Sequence, residues 1–185
     1  MARWCVAVLA LAGSTAAGAD FDKEPIAYGT STPDNVASRL QKRLVAGQAK
    51  LSYDETGGYL ASLLRELGVP VSSQTLVFSK TSLQRHRIAP RTPRALYFND
   101  DVYVGYCKAG DVLEVSAVDP KLGTVFYTVD QDASRKPRFT RQTDNCLLCH
   151  GSSQTQGVPG HVLRSVFSDP QGMPLLAEGT YRVDQ

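Results

Sequence analysis

Cys146-Leu147-Leu148-Cys149-His150 is the stretch whose residue types and spacing dictate the most definite chemistry. Two thiols three positions apart lie on neighbouring faces of one helical turn, so both can form thioethers to the two vinyl groups of a single porphyrin. The imidazole that follows directly is then placed under the iron as proximal ligand. With four Cys and three His in 185 residues, a chance C-x-x-C-H is expected about 0.001 times. Three other chemistries compete. A redox C-x-x-C belongs at the strand-to-helix junction of a βαβ unit, and no such pattern surrounds Cys146. Structural zinc needs a fourth ligand, and Cys107, His86 and His161 are scattered singly. A Cys146–Cys149 disulfide leaves His150 unexplained. One covalent haem c, attached through Cys146 and Cys149 and ligated by His150, accounts for all three residues.

A second iron ligand is less clearly written. Met173, in the turn Gly172-Met173-Pro174, is the only methionine after Met1 and the first candidate for a distal thioether. The same methionine could equally pack on apolar surface. His161 and His86 are the other two candidates. Lys80, Arg85, Arg87, Arg91 and Arg94 lie in a stretch without an acid until Asp100. They suit haem propionates or an acidic redox partner, or simply a solvated surface. No aromatic residues interleave them, which argues against a nucleic-acid groove. Cys107 is left over and is expected to be a buried apolar residue.

The elements that must position this motif are preceded by an address. Arg3, the apolar run Trp4 to Ala12 and the A-x-A site at Ala17-Gly18-Ala19 read as a cleavable signal peptide over residues 1–19. Its apolar core spans only about 14 Å as a helix, too short to cross a bilayer. No run of 18 apolar residues occurs elsewhere, so no transmembrane anchor is expected. Export places the chain in an oxidising compartment, the periplasm. A net charge of +2 gives no general pull towards nucleic acid or anionic lipid.

Beyond Asp20, Val36, Leu40 and Leu44 form a helical stripe that Thr32 could cap, with Pro33 in the first turn and Gly47 as a stop. Leu60, Leu63, Leu64 and Leu67 form a second stripe, ended by Gly68 and Pro70. Gln74 to Ser79 reads as a short strand. Arg85 to Arg94 is irregular because of Pro90 and Pro93. Two hairpin-like units follow. The first pairs Leu96–Phe98 with Val102–Val104, and the second pairs Val112–Val118 with Thr124–Val129. Thr143 or Asp144 could cap the short helix of the motif. The predicted class is α+β: two N-terminal helices, a small antiparallel meander, and a loop-rich haem-binding segment. The predicted division is residues 20–140 for the α+β domain and 141–185 for the haem segment. A plain class I cytochrome c places its motif near the start of its domain, and this chain does not. Its last residues, Gly179 to Gln185, read as the beginning of a strand, which suggests that the natural chain continues.

Several stretches carry a resemblance. SKTSLQ (79–84), PRALYFNDDVYVG (93–105), VFYT (125–128), CLLCH with GVPG (157–160) and RSVF (164–167) resemble a family of exported bacterial cytochrome c domain-containing proteins. The resemblance runs from about Thr32 to the end and implies a periplasmic monohaem protein without supplying a substrate. Members of that family continue past this point with His- and Trp-containing sequence. Three functions stay open. The first is electron transfer to a redox partner. The second is a haem enzyme or small-molecule sensor with an open distal site, so that catalysis is undecided. The third is a non-haem interaction module built on zinc or a disulfide.

Overall fold

Runs of β-branched and aromatic residues between turn signals build the sheet. The computed structural model describes residues 20–183, and the signal sequence expected over 1–19 lies outside them. Six strands form one antiparallel sheet in chain order: β1 (Thr75–Val77), β2 (Arg94–Phe98), β3 (Val102–Tyr106), β4 (Val112–Asp119), β5 (Gly123–Asp130) and β6 (Phe139–Gln142). The first five fall where the sequence predicts strands. β6 does not, because only Phe139 in it is apolar; it forms on the open edge of β5, with Phe139 opposite Val129 and buried.

α1 (Val36–Val45) and α2 (Leu60–Leu67) cover one face of this sheet. α1 begins later than Thr32 would have it. Asn35 is the cap: its side chain accepts from Ser38 N at 3.0 Å, and Ser38 Oγ accepts from Asn35 N at 3.0 Å. The choice is made across the fold, because Asp119 Oδ2 accepts from Asp34 N at 2.7 Å and from Asn35 Nδ2 at 3.2 Å. Leu40 is buried as the stripe predicts, joined by Ala37, while Val36 and Leu44 are partly covered. In α2, Leu63, Leu64 and Leu67 are buried, and Gly68 (φ +67°) ends the helix in the left-handed conformation. These side chains pack against Val102, Val104, Leu113 and Val115.

The opposite face is also covered. On β5, Thr124, Phe126 and Thr128 are buried, as are Val125, Tyr127 and Val129 between them. Successive pairings place Phe98, Tyr103, Ser116, Phe126 and Gln142 opposite one another from β2 to β6, so they form one row across this face. The C-terminal segment lies on that row. It contains the short α3 (Leu147–His150) and a two-stranded antiparallel ribbon of β7 (Leu163–Val166) and β8 (Thr180–Val183). β8 occupies the predicted terminal strand; β7 replaces part of the predicted loop-rich segment. The described residues form an α+β fold in which eight strands outweigh three helices. None of the helices among them is long and apolar enough to cross a membrane.

Candidate functional site

The motif folds as a single helical turn. Cys146 O accepts from Cys149 N at 3.3 Å and from His150 N at 2.9 Å, which brings both cysteines and the histidine onto one turn. No side chain caps it. The carbonyl of Asp144 accepts from Leu147 N (3.0 Å) and Leu148 N (3.3 Å) in place of the expected Thr143 or Asp144 side-chain cap. Leu147 is buried and pins the turn to the core, whereas Leu148 is 77% exposed between the two cysteines. Cys146 and Cys149 are both free thiols, the first partly buried and the second exposed. Burial, then the nearby Glu114 carboxylate, pushes the Cys146 thiol up to about 11, with Arg94 pulling the other way.

His150 stands on the sheet. Its ring lies 4.7 Å from that of Phe126, tilted by 45°. Its Nδ1 is 3.0 Å from Gly160 O. A carbonyl can only accept, so Nδ1 carries a proton, and in the neutral ring the lone pair is then on Nε2. The main chain closes the loop in return: Gly160 N and Thr155 Oγ1 donate to His150 O at 2.9 and 3.1 Å. Next along the chain, His161 stands on the same row. Its Nε2 shares a 2.9 Å hydrogen bond with Ser116 Oγ, and its ring lies 4.6 Å from that of Tyr103. Tyr103 in turn stacks on Phe98 at 5.3 Å. Burial, and secondarily His150, lowers His161 to about 4.

The remaining candidates lie elsewhere. The Gly172 turn that carries Met173 is held to the segment after β1, where Gly172 O accepts from Lys80 N at 2.8 Å; Met173 is 49% exposed. His86 is exposed beside Asp111, 3.9 Å from its Oδ2. Among the arginines, Arg94 crosses Gly105 to pair with Glu114 at 2.6 Å, both side chains largely buried, and Arg87 pairs with exposed Asp111 at 3.1 Å. Lys80 and Arg91 line an open cleft of about 340 Å³ with Pro90 and Pro170. Cys107 is buried, as expected, and its thiol is pushed up chiefly by that burial. Phe126 and Gly160 were not legible as site residues. The alternation of β5 gives the face of Phe126, but nothing local indicates that the chain returns to that face.

Among the described residues, no group of three or more His, Cys, Asp or Glu side chains is placed to hold a metal ion. A four-ligand zinc shell is therefore not assembled around Cys146 and Cys149. A porphyrin makes no such demand, since it supplies four nitrogens and needs one imidazole and two thiols from the chain. The donor set fits that requirement: two free thiols on one turn, and an imidazole whose Nδ1 is engaged by Gly160 O, so that Nε2 is the nitrogen that would ligate iron. No family model, curated protein or solved structure matches this chain.

Proposed function

We propose that this chain is an exported c-type cytochrome with one haem, held by thioethers to Cys146 and Cys149 and by His150 Nε2, that transfers electrons in the periplasm. The observation that carries the reading is the hydrogen bond from His150 Nδ1 to Gly160 O. It orients the imidazole and makes its other nitrogen the better donor, the arrangement an iron ligand requires. Leu147 anchors the turn while Phe126 supports the ring, so the ligand is presented from a rigid sheet. Bound haem supplies a one-electron couple at the iron, tuned by its axial ligands and by burial. The signal sequence over 1–19 supports the compartment, because haem is attached to C-x-x-C-H beyond the cytoplasmic membrane. The resemblance to exported cytochrome c domain-containing proteins points the same way.

Protein exported in the presence of haem-maturation machinery is expected to keep its haem through acid–acetone extraction and denaturing electrophoresis. His150→Ala should disturb the Soret band and reduce the yield of loaded protein. Haem that extracts freely, or zinc in its place, would refute the assignment. The placement of Met173 favours one second reading, in which the sixth position is open to a small molecule. Reduced protein that binds carbon monoxide at once would support that reading. A near-infrared sulfur-to-iron band lost in Met173→Ala would instead make Met173 the distal ligand.

A further inference from the structure

We propose that His161 is a positioning residue for His150: anchored on Ser116 and Tyr103, it fixes the Gly160 carbonyl that holds the His150 proton on Nδ1. The inference rests on the haem reading for its purpose, although the tautomer itself is a property of the chain. Gly160 has no side chain, so its neighbours alone orient its carbonyl. That carbonyl shares a rigid peptide plane with the N–H of His161, so immobilising His161 immobilises the acceptor. Besides the 2.9 Å hydrogen bond from Gly160 N to His150 O, three contacts hold the loop to the sheet. Thr124 N donates to Pro159 O at 2.8 Å, His161 Nε2 meets Ser116 Oγ at 2.9 Å, and the His161 ring packs 4.6 Å from Tyr103.

The sheet register then sets the relation between the two imidazoles. His161 stands over β3 and β4, and His150 stands over β5, on residues that face each other across the strands. Without that anchor the Gly160–His161 peptide could rotate, and the acceptor would leave His150 Nδ1. Because outer partners of a ligating histidine change metal affinity by about 10–100-fold, the effect should reach the iron.

The test uses nitrogen-15 spectra of the histidines in apoprotein at pH 7.5, with Ser116→Ala and His161→Phe as variants. Ser116→Ala removes the hydrogen bond but leaves the ring packing. Wild type should hold the Nδ1–H form of His150 by about tenfold, and both variants should approach parity. His161→Gln, which keeps an amide for Ser116, should recover part of the bias. In haem-loaded protein the same two variants should lower the iron–histidine stretching frequency. Their potential should rise by about 59 mV, a tenfold shift of a one-electron equilibrium. An unchanged tautomer in folded Ser116→Ala and His161→Phe overturns the proposal. A ferric spectrum of two nitrogen ligands that turns high-spin in His161→Phe also overturns it, since His161 would then be a ligand itself. Failure to take up haem refutes the cytochrome reading and leaves the apoprotein measurement as the test of positioning.

Discussion

His161 is neutral in the fold because burial, with His150 nearby, lowers its pKa from 6.5 to about 4. In the unfolded chain it takes up a proton near its ordinary value, so between those limits the unfolded state binds more protons. Its contribution to stability is therefore complete above about pH 6.5 and is lost as the pH falls towards 4. Apoprotein should lose about 2–3 kcal/mol between pH 7.5 and 4.5 through this group. His161→Gln should remove that part of the loss, and urea titrations at the two pH values would measure it. If wild type and variant decline in parallel, His161 is not the acid-sensitive group. The sequence names this histidine only as a candidate ligand. Its partners Ser116 and Tyr103 lie 45 and 58 positions away, on strands whose outward faces look like ordinary polar surface. Cys146, Cys149 and His150 are readable because their chemistry is local to one turn. The shell around them is not, since it is assembled from β3, β4 and β5.

At the scale of elements, the β4–β5 turn is the joint between the sheet and the loop behind His150. Gly123 has φ +74°, and a Cβ there would run into Pro159 O, the atom that accepts from Thr124 N. Gly123→Ala should therefore cost about 2–3 kcal/mol, combining left-handed strain with displacement of the Pro159–Gly160 loop. Denaturant midpoints would give the cost. A loss below about 0.5 kcal/mol would mean that loop and turn are not coupled. The turn itself is legible, because Asp119-Pro120-Lys121-Leu122-Gly123 separates two β-branched runs. Its second role is not, because that depends on a loop 36 positions further on. The start of α1 is a similar case. Ser31 to Asn35 offers several residues able to cap, and Asp119 decides among them from the far end of β4. β6 is missed for a related reason: its pairing depends on the vacant edge of β5 rather than on its own composition.

Taken whole, the protein has a core that includes neither Cys149 nor His150, with Cys146 only partly buried at its edge. The buried set runs from Tyr28 through α1, α2 and β2–β6, with Leu147 the only member of the motif fully inside. A Cys146→Ser/Cys149→Ser variant should consequently fold without haem, with a β-type circular dichroism spectrum and one cooperative thermal transition. Loss of that transition would show that the fold depends on the prosthetic group, as expected for a small domain wrapped around it. The sequence anticipates this division, since some 110 residues with helical and strand patterns precede Cys146. It does not anticipate that the segment after Cys146 lies back across the finished sheet. The uninterrupted meander also sets an order along the chain. Each strand pairs with the next in the chain, and the last, β6, is complete at Gln142. All six strands of the platform thus precede Cys146 in the chain. The segment from Cys146 onward is held to that platform by Leu147, by the ring contacts of His150 with Phe126 and of His161 with Tyr103, and by hydrogen bonds from Thr124 N to Pro159 O and between His161 and Ser116. On the haem reading, this segment would be the part that opens for attachment while the sheet beneath it stays folded.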